Sequence, residues 1–409
     1  MLCRPSRDLS LATIIDPSTE VLGYSRLSLT GQITDGSVQI TSTPPMSRPT
    51  PTTTVTASAT PRHPRVARWL RWLTTAHLIG IVGVWFLIWE VSESHWLGSV
   101  VTFLPRLPWL VPGLLLIAAS LLARSRMFWL NLVTLLFALL AVTEFNVPWN
   151  RLTNSSASAV HDEQTLRIVS CNVQTFEPDF SLVLREIQRA KPDVVAFQEA
   201  FRPPRQLLEQ LAGWHHLRVR GFWIGSKWPL RVLGECQTDV YSHLSGLAVE
   251  VDAPFGKFVL ADVHLMTARK SLVELRPLEL LSGDSQLALA AATVARSEEA
   301  RQARAFITEH QSDLPLIVVG DFNMPTASSV YRESFCDLRN AFESAAIGFG
   351  FTAPCKRFRH WPSNTPWQRI DHILVNDSWD VRECHIGKHD GSDHRLIAAT
   401  LRLRTAQTK

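Results

Sequence analysis

The chain has 409 residues, more than one ordinary domain and enough to bury a full core. Its 41 Lys and Arg nearly balance 37 Asp and Glu, giving a formal charge of +4, which excludes a broad basic footprint. A polyanion would have to be met locally. The six Cys follow no metal spacing, which argues against structural zinc. Cys171 sits in an apolar run as a small buried hydrophobe. An exported domain would allow a disulfide among Cys336, Cys355 and Cys384, with a connectivity that sequence does not give.

Residues 1–64 are rich in Ser, Thr and Pro, as in TSTPPMSRPTPTTTVTASATP. With little apolar periodicity they are expected to form a disordered tail. Met46 is a second candidate start within it. The composition then changes over 65–147, the expected membrane region. Three uncharged apolar runs follow one another, at about 73–89, 107–123 and 127–143. Each meets the short end of the roughly 17–25 residues needed to cross hydrocarbon as a helix. Many of the fourteen Trp fall between Trp69 and Trp149, and such rings suit the membrane–water interface.

Arg62, Arg65, Arg68 and Arg71 precede the first run, and Arg124 and Arg126 lie between the second and third. Glu90, Glu93 and a single Arg106 occupy the first loop. The positive-inside rule puts the N-terminus in the cytosol and everything after Val147 on the far side. Residues 148–164 are an expected polar linker.

From Leu166 the pattern becomes α/β. LRIVSCNVQ and DVVAFQEA are strand-like, and SLVLREIQRAKP between them predicts a short helix with Leu182, Leu184 and Ile187 inward. GLAVEVDA and GKFVLADVHLM predict consecutive strands turning at Pro254–Gly256. SQLALAAATVARSEEARQARAFITEH predicts a long helix with Leu287, Val294, Ala303 and Phe306 inward. Strands follow at LPLIVVG, IDHILV and HRLIAATLRL. This mixture predicts an α/β domain with two layers of sheet over about residues 165–404.

The apolar runs stop at polar residues: Asn172, Glu199, His264, Asp321 with Asn323, Asp371, and Asp393 with His394. Each alone is an ordinary cap or turn residue. In a layered α/β fold such ends gather along one edge. Together they suit phosphoester cleavage, whose charge-rich transition state needs a hard cation. Mg²⁺, or Mn²⁺ in its place, takes oxygen ligands, which Glu199, Asp393 and the Asn172 amide would supply. Asp321 or His394 would serve as base for an attacking water. Asp371 is a candidate partner for the His394 ring. Asn323 and His264 would donate to phosphoryl oxygens, where charge builds up.

The ordered set SCNVQ, VVAFQEA, SKWPL, DVHL, VVGDFNMP, RIDHILV and GSDHRLIAATL resembles the endonuclease/exonuclease/phosphatase superfamily. That group includes deoxyribonuclease I-like nucleases, apurinic endonucleases, bacterial sphingomyelinases and inositol-polyphosphate phosphatases. The resemblance covers about residues 165–404. It implies a four-layer α/β sandwich, with two face-to-face mixed sheets and outer helices, and Mg²⁺-dependent hydrolysis. It implies a metal site with Asn172, Glu199 and Asp393, phosphate contact by His264, positioning of water and phosphoryl group by Asp321 and Asn323, and orientation of His394 by Asp371.

The architecture resembles a bacterial subgroup with several spans before the hydrolase. That implies an integral protein of the bacterial inner membrane with a periplasmic or extracellular catalytic domain. The partners expected are the bilayer and a phosphoester, either nucleic acid or phospholipid. HHLRVRGFW and CKRFRHWP mix Arg, His and aromatics, with Arg357, Arg359, His360 and Trp361 at the expected rim. They favour nucleic acid slightly. The alternatives are a phospholipid head-group or small-molecule phosphoesterase of the same fold, and a non-catalytic binding module. No protein partner is legible. An enzymatic reporter fused after Lys409 is expected to be active only outside the cytosol. Cytosolic activity would contradict the three-span reading.

Overall fold

Short runs of β-branched and aromatic residues build the strands, and most strands bury both faces. In the computed structural model of the protein, the described residues are 64–153, 164–177, 179–240, 243–268, 272, 283–355, 362–388 and 391–404. The expected tail, the Arg357–Trp361 rim and most of the segment after Met266 lie outside them.

The strands are β1 (Thr165–Asn172), β2 (Val194–Gln198), β3 (His215–Val219), β4 (Phe222–Ser226), β5 (Leu230–Gln237), β6 (Leu244–Ala253), β7 (Gly256–His264), β8 (Leu316–Asp321), β9 (Arg339–Asn340), β10 (Asp371–Val375), β11 (Trp379–Ile386) and β12 (Ile397–Leu403). One six-stranded sheet runs β11-β12-β1-β2-β4-β3, and the other runs β5-β6-β7-β8-β10-β9. Each contains a single parallel pair, β1 with β2 and β7 with β8, flanked by antiparallel neighbours.

The main core lies between the sheets. Ile168, Val194, Ala196 and Ile224 from one meet Val249, Leu260, Ile317, Val319 and Ile373 from the other. On the outer faces, Val169, Val195 and Phe197 pack with helix Phe180–Ala190, while Val259, Ala261 and Val318 pack with helices Gly283–Gln311 and Ser329–Phe335. These contacts make four layers, helix–sheet–sheet–helix. SKWPL is the connection between the sheets, because Ser226 ends β4 and Leu230 opens β5.

Numbered in chain order, the helices are α1 (Pro64–Phe86), α2 (Trp96–Phe103), α3 (Val111–Leu122), α4 (Met127–Phe137), α5 (Trp149–Thr153), α6 (Phe180–Ala190), α7 (Arg205–Gln210), α8 (Gly283–Gln311), α9 (Ser329–Phe335) and α10 (Ala341–Ala345). The helical segment over 65–94 is long and apolar enough to cross a membrane. The second expected span is the segment Leu107–Leu122, which follows α2 at a bend of 88°. The third, Met127–Val142, is a shorter apolar helix. Polar side chains face inward among these helices, and Asn131 Nδ2 donates to Ser120 Oγ at 3.0 Å. Trp72, Leu115, Leu122, Trp129 and Val133 stand outward and exposed.

Four expectations need correction. The inner face of α8 is formed by Leu289, Arg296, Glu299, Ala300, Ala303 and Ile307, whereas Leu287 and Val294 are exposed. The face is partly polar because Arg296 and Glu299 find buried partners, so apolar periodicity held for Ala303 and Phe306 and failed for Leu287 and Val294. In α6, Val183 is buried in place of Leu182. Strands β3, β4, β5 and β11 were not legible as strands; β3 and β5 are largely exposed and carry charges or His. Among the described residues, no disulfide joins Cys336, Cys355 and Cys384.

His372 on β10 is fully buried, with Nε2 2.9 Å from Met324 O and Nδ1 3.1 Å from Asn340 Nδ2. Burial pushes its pKa down to about 3 from the usual 6.5. The folded state thus excludes a proton that the unfolded chain binds, so stability is full above 6.5 and falls as pH drops toward 3. Unfolding by denaturant at pH 7 and pH 5 is expected to show a loss approaching about 1.4 kcal/mol per pH unit from this group. His372→Gln should flatten that dependence, and an unchanged slope would contradict the assignment.

Candidate active site

The site forms where the two parallel strand pairs end together. In one sheet, Asn172 at the end of β1 lies opposite Gln198, and Glu199 follows directly. In the other, His264 at the end of β7 lies opposite Asp321 at the end of β8. Asp371 opens β10 across from Asp321. His394 lies in the approach to β12, the neighbour of β1.

Asn172 joins the two sheets. Its Nδ2 donates to Glu199 Oε1 at 3.0 Å and to Asp321 Oδ2 at 3.1 Å, while its Oδ1 accepts from Gln174 N–H at 3.1 Å. His264 Nε2 lies 3.6 Å from Glu199 Oε1 and 3.8 Å from Asp321 Oδ2. Asn323 Nδ2 donates to the same Asp321 oxygen at 3.1 Å and to Leu265 O at 2.8 Å. The Asn323 N–H donates to Asp321 Oδ1 at 2.9 Å. His394 Nε2 lies 3.6 Å from Asp321 Oδ2, and its Nδ1 lies 2.9 Å from Asp371 Oδ2.

Accessibility falls across this group. The Glu199 and His264 side chains are 33% and 24% exposed, while those of Asp321, Asp371 and His394 are 2%, 0% and 4% exposed. Glu199 and His264 therefore form the mouth and Asp321 the floor. Thr352 Oγ1 accepts from the N–H groups of Ile370 and Asp371, which fixes the approach to β10.

Asp321, Asp371 and His394 place one ligand atom each within 4.8 Å of one another. Burial opposes charge on His394, but the charges of Asp371 and Asp321 and the hydrogen bond to Asp371 push its pKa up to about 10. An imidazolium has no lone pair to give a metal. Its two ring nitrogens face the two carboxylates, so this trio is a proton-holding group. The oxygen donors nearer the mouth fit a hard cation better: Glu199 and the Asn172 amide, beside Asp321. In this arrangement the neutral Asn172 amide joins the two carboxylates by hydrogen bonds only, and a divalent ion would supply the positive charge it lacks.

Seven of the eight expected residues converge. Asp393 stands beside them. Its Oδ1 faces Ser392 Oγ at 3.5 Å, and among the described residues no hydrogen bond joins it to Glu199. Its charge contributes to raising His394.

Other contributors had no local signal in the sequence. Glu299, inside the charged run SEEAR, is buried and accepts from Ser245 Oγ at 2.6 Å and Met266 N–H at 2.7 Å. His243 Nε2 is 3.2 Å from His264 O, so this group backs the His264 strand end. Gln198 Nε2 donates to buried Asp262 Oδ1 at 2.5 Å, linking the two parallel pairs below the site.

Two residues at the strand ends have left-handed backbones, Glu199 at φ 54° and Asn323 at φ 53°. Such conformations cost energy and are kept where surrounding bonds hold them. Asn323 is held on both its N–H and its amide.

Residues 169–394, more than half of the chain, match the sequence profile described as Endonuclease/Exonuclease/phosphatase family. No curated protein matches the chain. Among solved structures it is similar to the endonuclease/exonuclease/phosphatase from Beutenbergia cavernae at 19% identity and TM-score 0.41, covering 60% of this chain and 73% of that one. It is similar to the human Nocturnin catalytic domain at 16% identity and TM-score 0.41, covering 60% and 95%. It is also similar to the Bacteroides thetaiotaomicron mannosyl-6-phosphatase at 14% identity and TM-score 0.40, covering 58% and 99%.

The glycine of GDFN has a steric role. Gly320 has φ 131°, and a Cβ there would lie 2.0 Å from Val263 O. Close approach of β8 to β7 sets His264 beside Asp321. Gly320→Ala is expected to destabilise the fold by about 3 kcal/mol or more, read as a lowered denaturation midpoint. A midpoint equal to the parent would contradict this role.

Proposed function

Because the chain belongs to the endonuclease/exonuclease/phosphatase family and is thus a hydrolase of phosphoester bonds, we propose that it is a membrane-anchored, Mg²⁺- or Mn²⁺-dependent phosphodiesterase that directs water at phosphorus. The observation that carries this reading is the meeting of Asn172, Glu199, His264, Asp321, Asn323 and His394 at one edge of both sheets. Glu199 and Asn172 would hold the cation, with Asp393 adding negative charge behind His394. When bound, the cation offsets charge on the phosphoryl oxygens.

Asp321 takes the proton of the attacking water. Asn172, Asn323, His264 and His394 all converge on its Oδ2, so the carboxylate is oriented before substrate arrives. His394 already carries a proton at neutral pH and serves as a donor to the developing oxyanion. Asp371 fixes its ring. His264, at the open mouth, meets the phosphate first. A non-catalytic binding module would have no use for this complete set.

The anchor reading rests on the reversed polarity of the helical region. Its polar Thr74, Ser120, Asn131 and Thr134 are buried and its Trp and Leu side chains face outward, as a bilayer requires. The loop after the first helix and the end of the third both contact the catalytic domain, through Glu93 and Glu144. Both of these ends therefore lie on the side of the catalytic domain. A nucleic acid is one substrate class. A phospholipid head group is the second, favoured by the contact of Glu144, two residues past the third apolar helix, with Thr326 so near Asn323.

Full-length protein in detergent or nanodiscs, with Mg²⁺, is expected to cleave a phosphodiester. The panel should include plasmid DNA, single-stranded RNA, sphingomyelin, phosphatidylinositol and phosphomonoesters. Chelation should abolish turnover and added Mg²⁺ restore it. Asp321→Ala and Glu199→Gln should each lower kcat by about 10²-fold or more while leaving the circular dichroism spectrum unchanged. Full activity in both variants would overturn the assignment.

A further inference from the structure

The helical region directs two buried carboxylates to one short segment of the catalytic domain. α1 ends in a π-helical turn, Leu87–Val91, and α4 ends in another, Ala138–Val142. After each turn comes a residue with left-handed backbone, Ser92 at φ 44° and Glu144 at φ 57°. π turns and such strained residues persist where contacts hold them, often at functional sites. Here both ends reach residues 326–330, directly after the GDFNMP segment.

Glu144 Oε1 accepts from the Ala327 N–H at 3.0 Å and from Thr326 Oγ1 at 3.3 Å, while its Oε2 pairs with Arg106 at 3.2 Å. Glu93 Oε2 accepts from the Ser328 and Ser329 hydroxyls and the Val330 N–H. Its Oε1 pairs with Arg296 Nη2 at 2.6 Å, and both side chains are buried. Ser92 Oγ accepts from the Ser329 N–H at 3.0 Å. Between these anchors Ala327 is fully buried against Ile81, Ile88, Val101, Ala138 and Val142. Only Met324 and Pro325 separate Asn323 from the clamped segment. Asn323 in turn holds both oxygens of Asp321.

We propose that Glu93 and Glu144 are positioning residues for catalysis. The helical region sets the conformation of residues 326–330, and through them the placement of Asn323 and Asp321. Turnover then depends on the helices being docked, so that a perturbation of the membrane region reaches the active site. This inference rests on the reading of the site as a phosphoester hydrolase. Its physical ground is that a displacement of about 1 Å at a reacting group can cost about a hundredfold in rate. Glu144 touches neither the reacting atoms nor the cation residues, so its effect should fall on kcat and leave substrate binding alone.

The test uses the full chain in nanodiscs with bis(p-nitrophenyl) phosphate and Mg²⁺, with activity expressed per folded molecule. Glu144→Gln is expected to lower kcat by about tenfold with KM unchanged within about twofold, and Glu144→Asp to recover part of the loss. If Glu144→Gln does not fold, Thr326→Val removes a donor to Glu144 and Ser329→Ala a donor to Glu93, from the other side and without disturbing a charge pair. The same fall in kcat is expected of them. A change in kcat of less than about threefold in the variants that fold, with only a lowered melting temperature, would show a merely structural contact and overturn the inference. Absence of hydrolysis by the parent protein would instead count against the hydrolase reading on which it rests, and would overturn both.

Discussion

The Asp321 carboxylate is the point at which the two halves of the hydrolase meet. Its Oδ2 receives the amide of Asn172 from one sheet and that of Asn323 from its own loop, with His264 and His394 within ion-pair reach. A carboxylate that is 2% exposed loses most of its hydration. It is tolerable only because these donors replace the lost water. The donors lie on four different segments, so the sandwich must close correctly before the site exists.

The strand order explains how this happens twice over. Each sheet is built around a parallel pair, and in each pair both C-terminal ends leave the sheet at the same edge. Parallel neighbours end side by side, so two polar residues placed there are adjacent without any special loop. Asn172 and Glu199 come from one pair, His264 and Asp321 from the other. The core between the sheets fixes their separation. The close approach of β8 to β7 at Gly320 fixes the register of the second pair.

Much of this could be read from the sequence because the signal was local. The apolar run LPLIVVG ends in Asp321, and VVAFQ ends in Glu199, so strand and site were marked by one feature. The partner of His394 was also legible, because Asp371 opens a strand and lies 2.9 Å away in the fold. What remained hidden depended on long-range pairing. Glu299 and Arg296 look like a solvated helix face until Ser245, Met266 and Glu93 are seen to meet them. Glu93 and Glu144 looked like ordinary loop residues beside apolar helices. No periodicity indicates that a carboxylate in position 93 will hold a segment starting at 328. Exposed strands such as β3 carry too little apolar contrast to be recognised.

The central claim is that this edge delivers water to phosphorus. Hydrolysis in ¹⁸O-labelled water tests it most directly, with the position of the label in the products read by mass spectrometry. The account predicts label in the phosphate-bearing product and none in the released alcohol, with formation of both products slowed by about 10²-fold or more in Asp321→Ala. Label in the alcohol would mean that the carbon–oxygen bond breaks, and would contradict the assigned roles of Asp321, Asn323 and His394.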